Sequence, residues 1–284
     1  MTLKLLAINK EQLTDKNRYN TNNHHDIDWT YGHIISIDEY EQLMSHSYRD
    51  KWAHLQKVDG IITHEFTKAE VKILCETRSA LYTGKRPGSL KEELDDIESR
   101  MPDLTNNQYF CRLNQCSPKD GLYKEGPFTD NAKALDSIIS SLRSNKELER
   151  CKKAESGNLV YFIPWRTEWK NWFEFRVFVY HNKVTAISQY NWSRNLGLVN
   201  YPLQQWGKNI IEFCEKIVIE MPNTTEGNWV IDVIVDPNTN NVELVEFNCF
   251  GAELAAGSAL FGWIQDRDIL YSNGSIVEFH YLVD

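Results

Sequence analysis

No apolar run in this 284-residue chain approaches the roughly 20 residues that a membrane-spanning helix needs, which excludes a helical membrane protein. The opening stretch, residues 1–9, is too short and too soon polar to read as a secretory signal. Cys-x-x-Cys spacing is absent. The six cysteines (75, 111, 116, 151, 214, 249) are scattered, several of them inside apolar patterns, so reduced core thiols in a cytoplasmic protein are expected rather than a disulfide framework. No Gly-x-x-x-x-Gly-Lys-Ser/Thr loop occurs, and no Gly-x-Gly-x-x-Gly opens a helix after a strand. Those absences argue against P-loop and Rossmann nucleotide sites. Gly-x-Ser-x-Gly is missing too, and no Cys–His pairing stands out as a nucleophile. No excess of positive charge exists: 31 Lys and Arg against 40 Asp and Glu leave a formal net charge of −9, which argues against generic affinity for nucleic-acid backbones or anionic membranes.

What is present is an ordinary soluble composition, 42% hydrophobic and 25% charged, long enough for one large or two modest cores. The first hundred residues read as mainly helical. Residues 38–58 carry apolar side chains at helical spacing. Thr67–Glu70 and Ser89–Glu92 both match a capping box, and Met101-Pro102 closes the second helix. His24-His25 lies in an asparagine-rich stretch read as a surface loop. A strand over 108–113 and a helix over 131–143 come next. The polar, partly basic segment 144–157 reads as a connection or flap. Strands over 158–163, 173–180 and 183–190 follow, then an amphipathic helix over 204–220, and the tail from 254 to 271 is expected to be helical in part. Helices first, then mostly antiparallel strands, give an α+β class. The division expected is a helical part, 1–105, and a strand-rich part, 106–284, interwoven as one domain.

Three polar residues near the C-terminus carry most of the chemistry. The runs 228–236 and 242–248 are rich in valine, isoleucine and aromatics, and the joint Pro237-Asn-Thr-Asn-Asn241 is dense in turn formers, so a β-hairpin is predicted. Pairing Asp236 with Val242 sets Asp232 opposite Glu246, and alternation brings Asn248 to the same surface. Opposed carboxylates repel, with Cβ atoms about 5 Å apart. A hard cation reverses that repulsion, and two carboxylates with an amide oxygen suit Mg²⁺. The plain alternative is a solvated outer face. It is weakened because both faces of these strands are otherwise apolar, with Val230 and Ile234 beside Asp232 and Leu244 beside Glu246.

An earlier hairpin, 173–180 and 183–189 around His181-Asn182, carries an arginine. A two-residue turn sets Arg176 opposite Ile187 and Glu174 opposite Gln189, which groups Glu174, Arg176 and Gln189 on one surface. Two readings stand open: a structural ion pair of Arg176 with Glu174, or a guanidinium fork for phosphate. Trp165 and Trp169 could pack or stack on a ligand.

Five stretches resemble the cell division cycle protein 123 family, an ATP-grasp branch of eukaryotic assembly factors. They are Phe110–Asn114, Ser117–Asp120, Glu174–Val179, Ile187–Gln189, and Asp232 with Glu246–Gly251, in family order over roughly residues 108–263. The resemblance implies an ATP-grasp-like fold with ATP and magnesium between two antiparallel-sheet subdomains. It implies Asp232, Glu246 and Asn248 as magnesium ligands and Arg176 as the phosphate-binding arginine. Tyr161, Phe162, Ile163 and Trp165 would form the adenine side, Lys119 and Arg112 would be cations toward phosphate, and Gln189 belongs to the ATP-binding set. Departures exist: the family has lysine at Arg112, aspartate at Glu246 and arginine at Tyr190, where Arg194 could compensate. The implied function is assembly of translation initiation factor 2 through its γ subunit. The alternative is an ATP-dependent ligase, joining carboxylate to amine or RNA ends, with Arg176 as the catalytic charge on the transferring phosphoryl group.

Overall fold

The computed structural model describes residues 1–14, 18–21, 36–222, 225–254 and 256–284. His24-His25 therefore lies outside the described residues. In chain order the elements begin with β1 (Thr2–Asn9), α1 (Ile37–Ser45), α2 (Arg49–Trp52), β2 (Ile62–Phe66), α3 (Lys68–Glu76), α4 (Ala80–Thr83) and α5 (Lys91–Arg100). Then come β3 (Tyr109–Leu113), α6 (Asn131–Ser140), α7 (Leu142–Lys153), β4 (Asn158–Pro164), β5 (Phe173–Tyr180) and β6 (Lys183–Gln189). The chain ends with α8 (Leu203–Val218), β7 (Trp229–Val235), β8 (Val242–Cys249), α9 (Arg267–Leu270) and β9 (Ile276–Val283). No described helix is long and apolar enough to cross a membrane. The fold is mixed α+β with two sheets.

Two compact units divide the chain, one from residues 1–57 and 168–284, the other from 58–167. The division falls at Lys57/Val58 and Thr167/Glu168, not at 105/106. Strand β1 explains why: it pairs with β9 along its whole length, Thr2 with Ile276 through Asn9 with Val283, and so binds the N-terminus to the C-terminal strands.

The larger unit is a six-stranded sheet in the order β1-β9-β6-β5-β7-β8. It is mixed rather than antiparallel, because β9 inserts parallel to both β1 and β6. One face packs on α8, whose Trp206, Ile210, Ile211, Cys214 and Ile217 recur at the 3.6-residue period and meet Phe175, Val177, Ile231 and Val233. The second face is covered by the loop-rich segment 250–270: Phe178, Ala186 and Val230 pack against Phe250, Phe261, Trp263 and Leu270.

The smaller unit is an antiparallel sheet, β2-β4-β3, with helices on one face. Its core joins Phe66, Leu74, Leu94, Leu135, Ile138, Leu148 and Phe162. The capping box at Thr67 is formed: Glu70 donates its backbone N–H to Thr67 Oγ1, and the Glu70 carboxylate accepts from Thr67 N at 2.6 Å. The second expected box is not, since α5 starts at Lys91 after a short 3-10 turn, Gly88–Leu90, with no side-chain cap. The expected flap over 144–157 is instead mostly helix α7. Only Leu148 and Cys151 mark its apolar stripe, too thin a pattern to reveal a helix. Its start is fixed by Asp120, which accepts from Leu142 N at 3.0 Å, Arg143 N at 3.3 Å and Ser141 Oγ at 2.6 Å.

All six cysteines are buried as free thiols. Burial pushes Cys75 and Cys116 up to about 12 and Cys249 up to about 11, and it also raises Cys111, Cys151 and Cys214. The thiolate is the reactive form, so at pH 8 all six are held in the inert state. A disulfide-exchange thiol reagent at pH 8 is expected to label none of them rapidly in the native protein and all six in denaturant. Fast native labelling of any one would contradict the buried-thiol core.

Candidate functional site

The interior strands β5 and β7 pair antiparallel with Arg176 directly opposite Asp232. Both side chains alternate with core valines and phenylalanines, so they emerge together on the face that segment 250–270 covers. Asp232 is fully buried and Arg176 is 8% exposed. Burial on this scale demands a partner of opposite charge, and the geometry supplies a fork. Arg176 Nε donates to Asp232 Oδ1 at 2.8 Å, and Nη2 donates to Oδ2 at 2.7 Å. The third arm, Nη1, donates to the Gly257 carbonyl at 2.5 Å. The guanidinium also lies over the Tyr190 ring, 5.0 Å from its centroid. Burial by itself pulls the Arg176 pKa down, but attraction to Asp232 and its hydrogen bonds outweigh this. With smaller contributions from Tyr190 and Glu246, they hold the pKa above the ordinary arginine value.

The carboxylate pair expected from sequence is present: Asp232 pairs with Glu246 across β7 and β8. The route to it differs. The turn pairs Val235 with Val242, one residue off the expected register, and a bulge between Asp232 and Val233 restores Asp232–Glu246 through the extra residue Val245. The same bulge turns Leu244 to the opposite face, into the α8 core beside Phe247, so it is not a neighbour of Glu246. Asn248 pairs with Val230 and donates Nδ2 to Asp232 Oδ2 at 3.1 Å. Asp232, Glu246, Asn248 and Arg176 thus converge on one surface.

A second bulge, at Phe178/Val179, displaces the other hairpin. Arg176 pairs with Ser188 rather than Ile187, and Gln189 pairs with Phe175. Gln189 leaves the Arg176 surface. Its amide is tied to backbone, donating to Asn191 O at 2.7 Å and Arg194 O at 3.0 Å while accepting from Leu282 N at 2.8 Å. Of the two readings left open for Arg176, an ion pair is present, and its partner is Asp232.

In the smaller unit, Arg112 pairs with Tyr161 across β3 and β4, and Ile163 pairs with Phe110. Tyr161, Ile163 and Arg112 share the face turned from the helices, while Phe162 points into the helical core. Arg112 Nε donates to the Leu113 carbonyl at 3.3 Å. Trp165 is half-buried, its N–H bonded to Gln108 O at 2.8 Å, and Lys119 lies exposed in the loop before Asp120. The contacts of Tyr190 and Gly257 with Arg176 were not read from sequence. Tyr190 lies two positions beyond the cross-strand partner Ser188, a signal available once the bulge is known. Gly257 lies 81 residues away, with no local signature.

The sequence profile of the family described as D123 matches residues 131–282, more than half of the chain. The chain belongs to the D123 family. That match contains Tyr161, Phe162, Ile163, Trp165, Arg176, Gln189, Asp232, Glu246 and Asn248; Arg112 and Lys119 precede it. The chain is 26% identical over 252 residues to a CDC123-like protein of Acanthamoeba polyphaga mimivirus, covering 83% of this chain and 75% of that protein. Its fold is similar to C-terminally truncated Cdc123 from Schizosaccharomyces pombe, with a TM-score of 0.60, 18% identity, and coverage of 86% of this chain and 98% of that one. A second structure of Cdc123 from the same yeast aligns with a TM-score of 0.59, also at 18% identity, covering 85% and 97%.

Whether the D123 surface suits a divalent cation is a question of donor chemistry. Among the described residues no three His, Cys, Asp or Glu gather as a metal cluster, so Asn248 has to complete any donor set. Its Nδ2 faces Asp232, which directs Oδ1 to the other side of the amide. Two carboxylates on neighbouring strands and an amide oxygen are hard donors of the kind Mg²⁺ takes, with water and phosphate filling the rest of its shell. The residues fit.

Proposed function

We propose that this D123-family chain binds Mg-ATP and works in the cytoplasm as an assembly factor for translation initiation factor 2, through its γ subunit. The convergence of Asp232, Glu246, Asn248 and Arg176 on one buried sheet surface carries the reading. A lone carboxylate at Asp232 would be intolerable there, and a second carboxylate opposite would make it worse. A fork of positive charge and a site for a divalent cation are the two ways to balance it, and both are what a polyphosphate requires.

In this reading Asp232, Glu246 and Asn248 hold the cation, which supplies charge neutralisation to the phosphates. Arg176 grips phosphate oxygens with its fork, and its hold on Gly257 O and the Tyr190 ring restricts where that fork can aim. The family resemblance assigns Tyr161, Ile163 and Trp165 to the adenine, and Arg112 and Lys119 to the phosphates. Phe162 serves the adenine side only by supporting its strand from behind, because its own side chain is core. The net charge of −9 suits a basic surface on the protein partner.

Calorimetry with Mg-ATP tests the assignment. Asp232→Asn is the variant of choice, since alanine would open a void beside a buried guanidinium. Binding is expected in the wild type and lost by at least about tenfold in Asp232→Asn, with the circular-dichroism spectrum retained. Arg176→Gln should weaken ATP more than AMP, because its contact is to the distal phosphates. Unchanged Mg-ATP affinity in Asp232→Asn would reject the cation donors, and equal losses of ATP and AMP would reject the role of Arg176. Release of ADP or AMP on adding an amine, carboxylate or RNA end would move the reading to a ligase.

A further inference from the structure

Arg176 and the cation lay claim to the same carboxylate. Asp232 Oδ2 already accepts two hydrogen bonds, from Arg176 Nη2 at 2.7 Å and Asn248 Nδ2 at 3.1 Å, which occupy both of its lone pairs. Oδ1 accepts from Arg176 Nε at 2.8 Å. Any cation reaching Asp232 either shares Oδ1 with a guanidinium hydrogen or takes the place of the fork. From these contacts we infer that Arg176 is the specificity-determining residue of this site: it holds the cation position closed until phosphate arrives, so the protein accepts a metal–polyphosphate complex and disfavours either component alone. The inference rests on the reading of Asp232, Glu246 and Asn248 as cation donors.

Charge balance in a buried place governs what this site accepts. For Asp232 to accept a cation without phosphate, Arg176 must either stay, as a positive charge within a few ångströms of the metal, or withdraw with no anion to balance its charge at 8% exposure. Both are unfavourable, because an ion stripped of its partner inside a protein loses far more than a surface ion does. For Arg176 to take phosphate without a cation, it must abandon Asp232, which then lies buried opposite Glu246 with both carboxylates near an anion. Only the joint exchange leaves every charge paired: Arg176 passes its fork to phosphate oxygens as Asp232 and Glu246 pass to the cation. The Tyr190 ring, 5.0 Å from the guanidinium carbon, and the Gly257 carbonyl are partners that Arg176 can keep throughout, which limits the motion to a turn of the fork. Coupling of this kind is reciprocal, so each component should raise the affinity for the other.

Manganese binding without nucleotide tests this, with free Mn²⁺ read by electron paramagnetic resonance and folding checked by thermal melting. The wild type should bind Mn²⁺ weakly. Arg176→Gln removes the positive charge while keeping a hydrogen-bonding side chain, and it should bind at least about tenfold more tightly, with Mn²⁺ raising its melting temperature more than that of the wild type. Asp232→Asn added to Arg176→Gln should abolish the gain. Should Arg176→Gln not fold, Arg176→Lys, which keeps a point charge but loses the two-pronged fork, should still bind Mn²⁺ more tightly than the wild type. Equal Mn²⁺ affinity in the wild type and the Arg176 variant, with Asp232→Asn removing binding from both, would overturn the exclusion and leave the cation donors standing. Mn²⁺ binding indifferent to Asp232→Asn in either background would overturn the donors themselves.

Discussion

A guanidinium and a carboxylate buried face to face on neighbouring strands constrain everything around them. Arg176 and Asp232 occupy the middle of β5 and β7, an interior antiparallel pair of the larger sheet. Their fork needs the two strands in one register only, since a slip of a single residue would send one charge into the α8 core and leave the other unpaired. Removing either partner of such a pair leaves a buried uncompensated charge, a loss of about 3–5 kcal/mol, comparable to a good fraction of a domain's whole stability. Both flanking strands carry a bulge, β6 opposite Phe178 and Val179 and β8 opposite Asp232 and Val233. Segment 250–270 lays an aromatic cover over Phe178, Ala186 and Val230 beside the polar surface, and reaches the surface itself through the carbonyl of Gly257.

Gly257 is closely approached at this point. A Cβ there would collide with Asn20 Oδ1, so a side chain at 257 would have to displace the Asn20 amide. Ser258 next to it joins the same cover to the N-terminal segment, accepting from Thr21 N at 2.8 Å. The arginine fork, its cover and the residues around Asn20 are therefore one connected piece of polar structure laid over an otherwise apolar sheet face.

Much of this was legible in the sequence, and the failures have identifiable causes. Strands β4 to β8 and helix α8 announced themselves through valine-rich runs and a 3.6-residue apolar stripe. The opposition of Asp232 to Glu246 was also readable, although by two offsetting departures: a turn one residue longer than expected, taken from the β7 side, and a bulge that adds one residue to β8. In the other hairpin the turn was as expected, Tyr180 with Lys183, and only the bulge intervened. Nothing compensated, and Gln189 was assigned to the wrong surface. Bulges are set by what a strand packs against, and neither hairpin's local sequence records that. The same limit hid the partner of Arg176, because Asp232 comes from a strand 56 residues on, while Glu174 was the acidic residue in view. Helix α7 was missed because its polar surface outweighs a stripe of two buried side chains, and β1 because its pairing partner β9 is at the far end of the chain.

A double-mutant cycle across Arg176 and Asp232 goes to the heart of the account. Denaturant unfolding of the wild type, Arg176→Met, Asp232→Leu and the combined variant would give the coupling between the two positions. If the buried fork organises the sheet, each single change should destabilise by about 3–5 kcal/mol, and the double variant by clearly less than the sum, since an apolar pair of similar volume restores balance. Strictly additive losses would contradict it, because they would mean that the two charges do not depend on one another inside the folded protein.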